Sequence, residues 1–375
     1  MNFEEYSAKS LVLAPHGIPF PRGRLCVSAS EAAAAAADIG PCVVKAQAPT
    51  GKRGKAGGVR PADDPDQARR AAEAILGLRI GDHVVERLLV EERAKIAHEF
   101  YAAVLYDVGA RKPLLLFSSE GGMDIEEIAA SRPDAIRRLL LDLDRRPTER
   151  DLAPLLEGLA LGQAAGQAID ILGKLFEAWR ASDAELIEIN PLALLEDGRL
   201  IALDCKFVLD DGAAFRQLDL AGKASPEPMS DLERRAFENG LKLIQLDGNV
   251  GVLANGAGLT MTTMDVIRHF GGRPANFLEI GGEAYTKAAI ALDLVLSNPG
   301  VKSLVVNFCG AFARTDVMAE GVAKAWREMK PTAPVFFSVH GTGEDKAIAI
   351  VREQLGLEPY DRMEDAVEAA VRAAQ

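Results

Sequence analysis

Residues 186–207 read LIEINPLALLEDGRLIALDCKF, two apolar runs joined by Glu196-Asp197-Gly198. Those three residues suit a hairpin loop with Gly198 in the left-handed position of a G1-bulge turn. In that register Leu195 pairs with Arg199, Asn190 faces Asp204 and Glu188 faces Lys206, all on one side of the ribbon. The other side shows Ile187, Ile189, Ala193, Ile201, Leu203, Cys205 and Phe207, a packing face. An amide oxygen opposite a carboxylate offers the hard donors that Mg²⁺ takes, with water and phosphate completing its shell. A hairpin with a solvated polar face is the other reading of the segment.

Upstream, TGKRGKAGG (50–58) follows a strand signal, PCVVKAQ (41–47), that contains Lys45. Lys45, Lys52, Arg53 and Lys55 put four positive charges within eleven residues, interleaved with glycine. Glycine lets a backbone approach a ligand closely and present N–H groups, while Lys and Arg neutralise phosphate. The loop lacks the G-x-x-x-x-G-K-[ST] pattern of a Walker loop. It reads as a phosphate cradle or as a solvated basic loop; beside the Asn190/Asp204 face, a Mg-nucleotide site is preferred. Further strands are expected at 83–92, 100–107 and 112–119, and helices at 68–78 and 134–143. The stretch from Leu152 to Trp179 is expected to form one buried helix, broken near Gly162 or Gly166.

Downstream, residues 210–238 lose any apolar period and read as a connection between domains. After them NVGVLAN, ANFLEIGG, KSLVVNFCG and APVFFSVHG alternate with helical patterns. That alternation predicts a parallel sheet with helices on both faces, and ligands beyond its C-terminal strand ends. Three of the runs end in NGAG, NFCGAFAR and HGTG, which places those loops at one sheet edge. NGAGLTM (255–261) has Met261 where a dinucleotide fingerprint needs a small residue, so it reads as a helix N-terminus suited to an anion.

The chain has 375 residues, which at roughly 150 residues per domain predicts two or three domains. Its net charge of −12 argues against nucleic acid, whose phosphates need clustered cations. No apolar run reaches the roughly 18 residues of a membrane helix, and MNFEEYSAKS is unlike a signal peptide. The 4 cysteines (Cys26, Cys42, Cys205, Cys309) lie far apart, which predicts neither zinc nor disulfides and fits a cytoplasmic chain. The 5 histidines (His16, His83, His98, His269, His340) are scattered without metal-ligand spacing or a nucleophile partner.

In their order along the chain, MNFEEYSAKSLVLAPHGIPFPRG, VVKAQ with GKRGKAGGV, SEGGMDIEEIA, IEINPL, LDGNVGVLANGAGLTMTTMD and PANFLEIGG resemble the beta subunit of succinyl-CoA synthetase and its relatives. The resemblance implies an ATP-grasp domain of two subdomains (1–229), then a flavodoxin-like, parallel α/β CoA-ligase domain (238–375). It implies that Lys45, Lys52, Arg53, Gly54, Glu91, Ala94 and Glu99 bind ATP or GTP, and that Asn190 and Asp204 hold Mg²⁺. Asn255, Ala311, Phe312 and Ala313 would face the carboxylic acid, and Glu188 would approach a phosphohistidine as a catalytic residue. That histidine, and most of the CoA site, would belong to an alpha subunit, the implied protein partner. The implied reaction joins an acid to CoA with cleavage of ATP to ADP and phosphate. The family's G-G-I-V-R-C-D loop reads here Gly310-Ala311-Phe312-Ala313-Arg314-Thr315-Asp316, so malate or another short acid stands beside succinate as substrate. A stand-alone ATP-grasp ligase joining a carboxylate to an amine is a further alternative.

Overall fold

The computed structural model describes residues 1–159, 161–280 and 287–375. They fall into two compact units, Met1–Pro228 and Met229–Gln375.

The first unit contains two antiparallel sheets besides a short two-stranded pair. The smaller one has four strands in the order Gly23–Cys26, Arg87–Glu92, Cys42–Gln47, Val59–Ala62. Helices Ala29–Ile39 and Pro65–Ile75 are started by Ser28 and Asp64, whose side chains accept from Glu31 N and Gln67 N. Their alanines (Ala32, Ala35, Ala36, Ala68, Ala71, Ala72) share one core with Cys42, Val44, Ala46, Leu88 and Val90 of the sheet. Period-two alternation therefore turns Lys45 and Glu91 to the sheet's other face.

The larger sheet runs Leu200–Ala202, Ala184–Leu195, Ile96–Asp107, Lys112–Ser118, Ile136–Leu140, with Lys206–Leu209 also paired to Ala184–Leu195. Helix Ala165–Ala181 buries Ile171, Leu172, Leu175, Phe176 and Trp179 in its core. The N-terminal segment, helical over Glu5–Ala8 and Lys9–Leu13, is anchored there by Phe3, Ala8, Val12 and Leu13.

The hairpin register matches the expectation. Leu192 pairs with Ala202, Ala193 with Ile201, Leu194 with Leu200 and Glu188 with Lys206, and Gly198 has φ 85°. Its single packing face does not persist. A register shift against Ile96–Asp107 lies between Ile189 and Leu192. Before it Ile187 and Ile189 enter the large core; after it Leu192 does, while Ala193, Leu195 and Ile201 form a separate cluster with Ala94 and Leu203.

Four other expectations are corrected. Residues 134–143 hold the strand Ile136–Leu140, because the free edge of Lys112–Ser118 takes them up in an antiparallel ladder. The expected break falls at left-handed Gly162 and the long helix runs from Ala165, but the stretch before it, of which Ala160 lies outside the described residues, is interrupted again at Pro154 and left-handed Gly158 and is not one helix. The expected connection ends in helix Asp231–Glu238, started by a capping box between Ser230 and Glu233, and the strand Lys242–Gln245 follows it. Residues 83–92 form two strands, His83–Val84 and Arg87–Glu92.

The second unit is a five-stranded sheet in the order Lys242–Gln245, Asn276–Ile280, Val250–Asn255, Ser303–Gly310, Val335–Gly341. All pairs are parallel except that of Lys242–Gln245 with Asn276–Ile280. Helices Ala257–His269 and Met363–Ala373 share one core with the sheet, and Ala288–Leu296, Thr315–Met329 and Glu344–Leu355 share another. This is the expected parallel α/β layer. The closing glycines of PANFLEIGG, Gly281 and Gly282, lie outside the described residues.

Candidate functional site

In the first unit a cavity of about 340 Å³ is lined by both halves. The loop 50–55 contributes Lys52, Arg53 and Gly54, the hairpin Glu188, Asn190, Asp204 and Lys206, and the turn after Lys112–Ser118 contributes Gly122, Met123 and Asp124. The residues expected at the phosphates and at Mg²⁺ thus share one wall system, except Lys45, whose ammonium enters the ion cluster beside it.

Arg53 links the two ends. Its Nη1 donates to Ala46 O at 2.9 Å, and its Nη2 lies 2.6 Å from Asp204 Oδ2 and 2.8 Å from Glu5 Oε2. Lys45 Nζ donates to Glu5 Oε1 (2.9 Å), Glu91 Oε2 (2.6 Å) and Leu203 O (2.7 Å). Lys9 Nζ donates to Glu5 Oε1 (2.7 Å), Glu91 Oε1 (2.6 Å) and Leu203 O (2.8 Å). Burial by itself would raise the Glu5 carboxyl, but Lys45, Lys9 and Arg53 outweigh it and hold that group well below the usual carboxylate range.

Asn190 fastens the adjoining turn: Oδ1 accepts from Gly122 N at 2.8 Å and Nδ2 donates to Met123 O at 2.9 Å. Gly121 is required there, since a Cβ would come within 2.3 Å of Phe100 O. Lys52 occupies the left-handed region (φ 62°), uncommon for a residue with a Cβ, and its ammonium pairs with Asp124 at 2.9 Å. Glu188 is half-buried; burial raises its carboxyl, and Tyr101 Oη, donating to Oε2 at 3.1 Å, works against that.

Asn190 and Asp204 supply two oxygen donors on the cavity wall, and among the described residues no group of three or more His, Cys, Asp or Glu could hold a metal. That donor set fits Mg²⁺, which binds few protein oxygens beside phosphate and water.

Three expected nucleotide residues lie elsewhere. Glu91 is 2% exposed inside the ion cluster. Ala94 lines a second cavity of about 640 Å³ with Pro19–Arg22 and the hairpin loop. Glu99 lies half-buried on Ile96–Asp107, its carbonyl accepting from Gly121 N at 3.0 Å.

In the second unit Asn255 ends its strand beside Cys309, donating to its carbonyl (2.6 Å) and accepting from its N–H (2.8 Å). The neighbouring loop is tied by Thr342, which donates from N to Gly310 O and from Oγ1 to Ala311 O. Gly341 passes so close that a Cβ would sit 2.2 Å from Gly310 O. Ala311 is exposed, Phe312 is 100% exposed and Ala313 packs toward the core. The acid-facing candidates are thus neighbours at one sheet edge.

The ATP-grasp domain family matches residues 2–194, and the CoA-ligase family matches residues 253–372. The beta subunit of an ADP-forming succinate–CoA ligase from Chloroflexus aurantiacus is 42% identical across 100% of this chain and 99% of its own. The chain belongs to the succinate–CoA ligase beta-subunit family. Another member, the beta subunit of a GDP-forming succinate–CoA ligase from Thermus thermophilus, is 41% identical over 92% of each chain. The solved ATP citrate lyase of Methanothrix soehngenii, in complex with citrate and coenzyme A, shares the fold: TM-score 0.74 at 21% identity, covering 99% of both chains. Membership makes the chain a ligase-class enzyme.

Sequence reasoning missed Glu5, Lys9, Tyr101 and Asp124 in this family member. For the first two a signal existed: a Glu–Lys pair four residues apart, followed at the same spacing by Leu13, lies on a helical face that is otherwise apolar.

Proposed function

We propose that this chain is the nucleotide-binding beta subunit of an ADP-forming acid–CoA ligase of the succinyl-CoA synthetase type. Residues 1–229 form its ATP-grasp domain and 238–375 its flavodoxin-like CoA-ligase domain. ATP or GTP enters the first, and its phosphates meet Lys45, Lys52, Arg53 and the backbone at Gly54. Glu91, Ala94 and Glu99 line the nucleotide pocket, Glu91 through the Lys45 ammonium it holds at 2.6 Å. Mg²⁺ held by Asn190 and Asp204 would neutralise polyphosphate charge. The phosphoryl group passes to a histidine of an alpha subunit, which also brings most of the CoA site, and Glu188 steadies that imidazole. Such a transfer depends on positioning and charge neutralisation more than on covalent chemistry by the protein. The acid lies against Asn255 and Ala311-Phe312-Ala313.

The observation that carries this reading is the convergence of Lys52, Arg53, Glu188, Asn190 and Asp204 on one cavity, in a chain whose relatives match over its whole length. Succinate is the substrate named for those relatives. Phe312, fully exposed on the acid-facing loop, favours a second reading in which malate or another short acid replaces it. Turnover with a panel of acids separates the two.

The test of the site is Asp204→Asn. Phosphorylation of the alpha partner's histidine by Mg-nucleotide is expected to be lost; near-normal labelling refutes the assignment.

A further inference from the structure

The ion cluster beside the cavity contains three carboxylates, Glu5, Glu91 and Asp204, and three cations, Lys9, Lys45 and Arg53. Exposure is graded through it. The Lys9 side chain is 2% exposed, Lys45 11%, and Asp204, on the cavity wall, 37%. Lys9 and Lys45 come from different halves of the unit, one from the N-terminal segment anchored under the large sheet, the other from the small sheet. Yet they hold the same groups. Each ammonium donates to Glu5 Oε1, to one oxygen of Glu91 and to Leu203 O. A single lysine in such a cage could not leave it, because a buried carboxylate stripped of its cation is strongly unfavourable. Two lysines sharing the cage remove that obstacle.

We propose that Lys9 is a positioning residue that keeps Glu5, Glu91 and the Leu203 carbonyl satisfied, so that Lys45 can turn from them to the phosphates of a bound nucleotide. The proposal rests on the nucleotide reading above. Lys9 is too deeply enclosed to meet the nucleotide and acts through Lys45. Its counterpart Glu5 sets the strength of the hold, since it also faces Arg53 at 2.8 Å.

Equilibrium binding of Mg-ATP and Mg-GTP to the full chain tests this, with adenosine, which has no phosphate, as the control. Lys9→Met is expected to raise the Kd for the preferred Mg-nucleotide by about tenfold or more, the equivalent of one buried charge contact, and to leave adenosine unchanged. Glu5→Gln/Lys9→Met is expected to regain part of that affinity, because Lys45 then guards one carboxylate instead of two. An unchanged Kd in Lys9→Met overturns the proposal, and so does an equal loss for adenosine, which marks general damage. Should Lys9→Met lack a cooperative melt, Glu5→Gln and the double variant decide: the double is expected to bind several-fold more weakly, and equal affinities overturn the proposal. Wild-type chain that binds neither Mg-nucleotide refutes the nucleotide reading itself, and this proposal with it.

Discussion

Glu5 is the residue on which the cluster's charge balance turns. It is 2% exposed and lies within ion-pair distance of Lys9, Lys45 and Arg53. Its carboxyl titrates well below the ordinary range in the folded chain, so it binds a proton less readily there than when unfolded. The resulting stabilisation is complete above the ordinary carboxylate pKa and is lost as pH falls through it toward the folded value. Glu5→Gln is therefore expected to lower the urea midpoint clearly at pH 7, by leaving a buried cation uncompensated, on the order of 3–5 kcal/mol. The gap between variant and wild type is expected to close as the pH falls below about 4. Equal midpoints at pH 7 would contradict the balance described.

The hairpin 186–207 shows how much of an element is legible in a sequence. Its register could be read because alternation is strict on both arms and Gly198 alone suits the left-handed turn position, observed at φ 85°. Gly198→Ala is expected to cost about 1–2 kcal/mol in urea unfolding, the penalty for a Cβ in that conformation; no loss would mean that the turn does not fix the register. The same register brings Asn190 and Asp204 to the wall of one cavity. The division of the packing face was not, because the shift between Ile189 and Leu192 is set by pairing with Ile96–Asp107, a long-range partner. The strand Ile136–Leu140 was hidden likewise: its residues suit a helix locally, and the open edge of Lys112–Ser118 decides. Glu5 and Lys9 differ from a surface Glu–Lys pair only through the apolar face they share with Ala8, Val12 and Leu13, a signal that is read only once the segment is taken as helical.

At the scale of the molecule, two units carry two kinds of candidate site, an ion-rich cavity in Met1–Pro228 and a backbone-built sheet edge in Met229–Gln375. Among the described residues no helix is long and apolar enough to cross a membrane. On the proposed function, the histidine that carries phosphate is supplied by another chain, so this chain alone is expected to make no acyl-CoA from acid, CoA and Mg-nucleotide. Robust turnover without a partner would reject the subunit reading. On the same proposal, the Asn190/Asp204 wall and the Lys45–Arg53 cations together grip one Mg-polyphosphate. The most direct measurement is a crystal structure of the full chain with Mg²⁺ and a non-hydrolysable ATP or GTP analogue. Metal density is expected on the oxygens of Asn190 and Asp204, with phosphates against Arg53 and Lys45 turned away from Glu5. A nucleotide bound elsewhere, or a metal touching neither oxygen, would contradict the proposal.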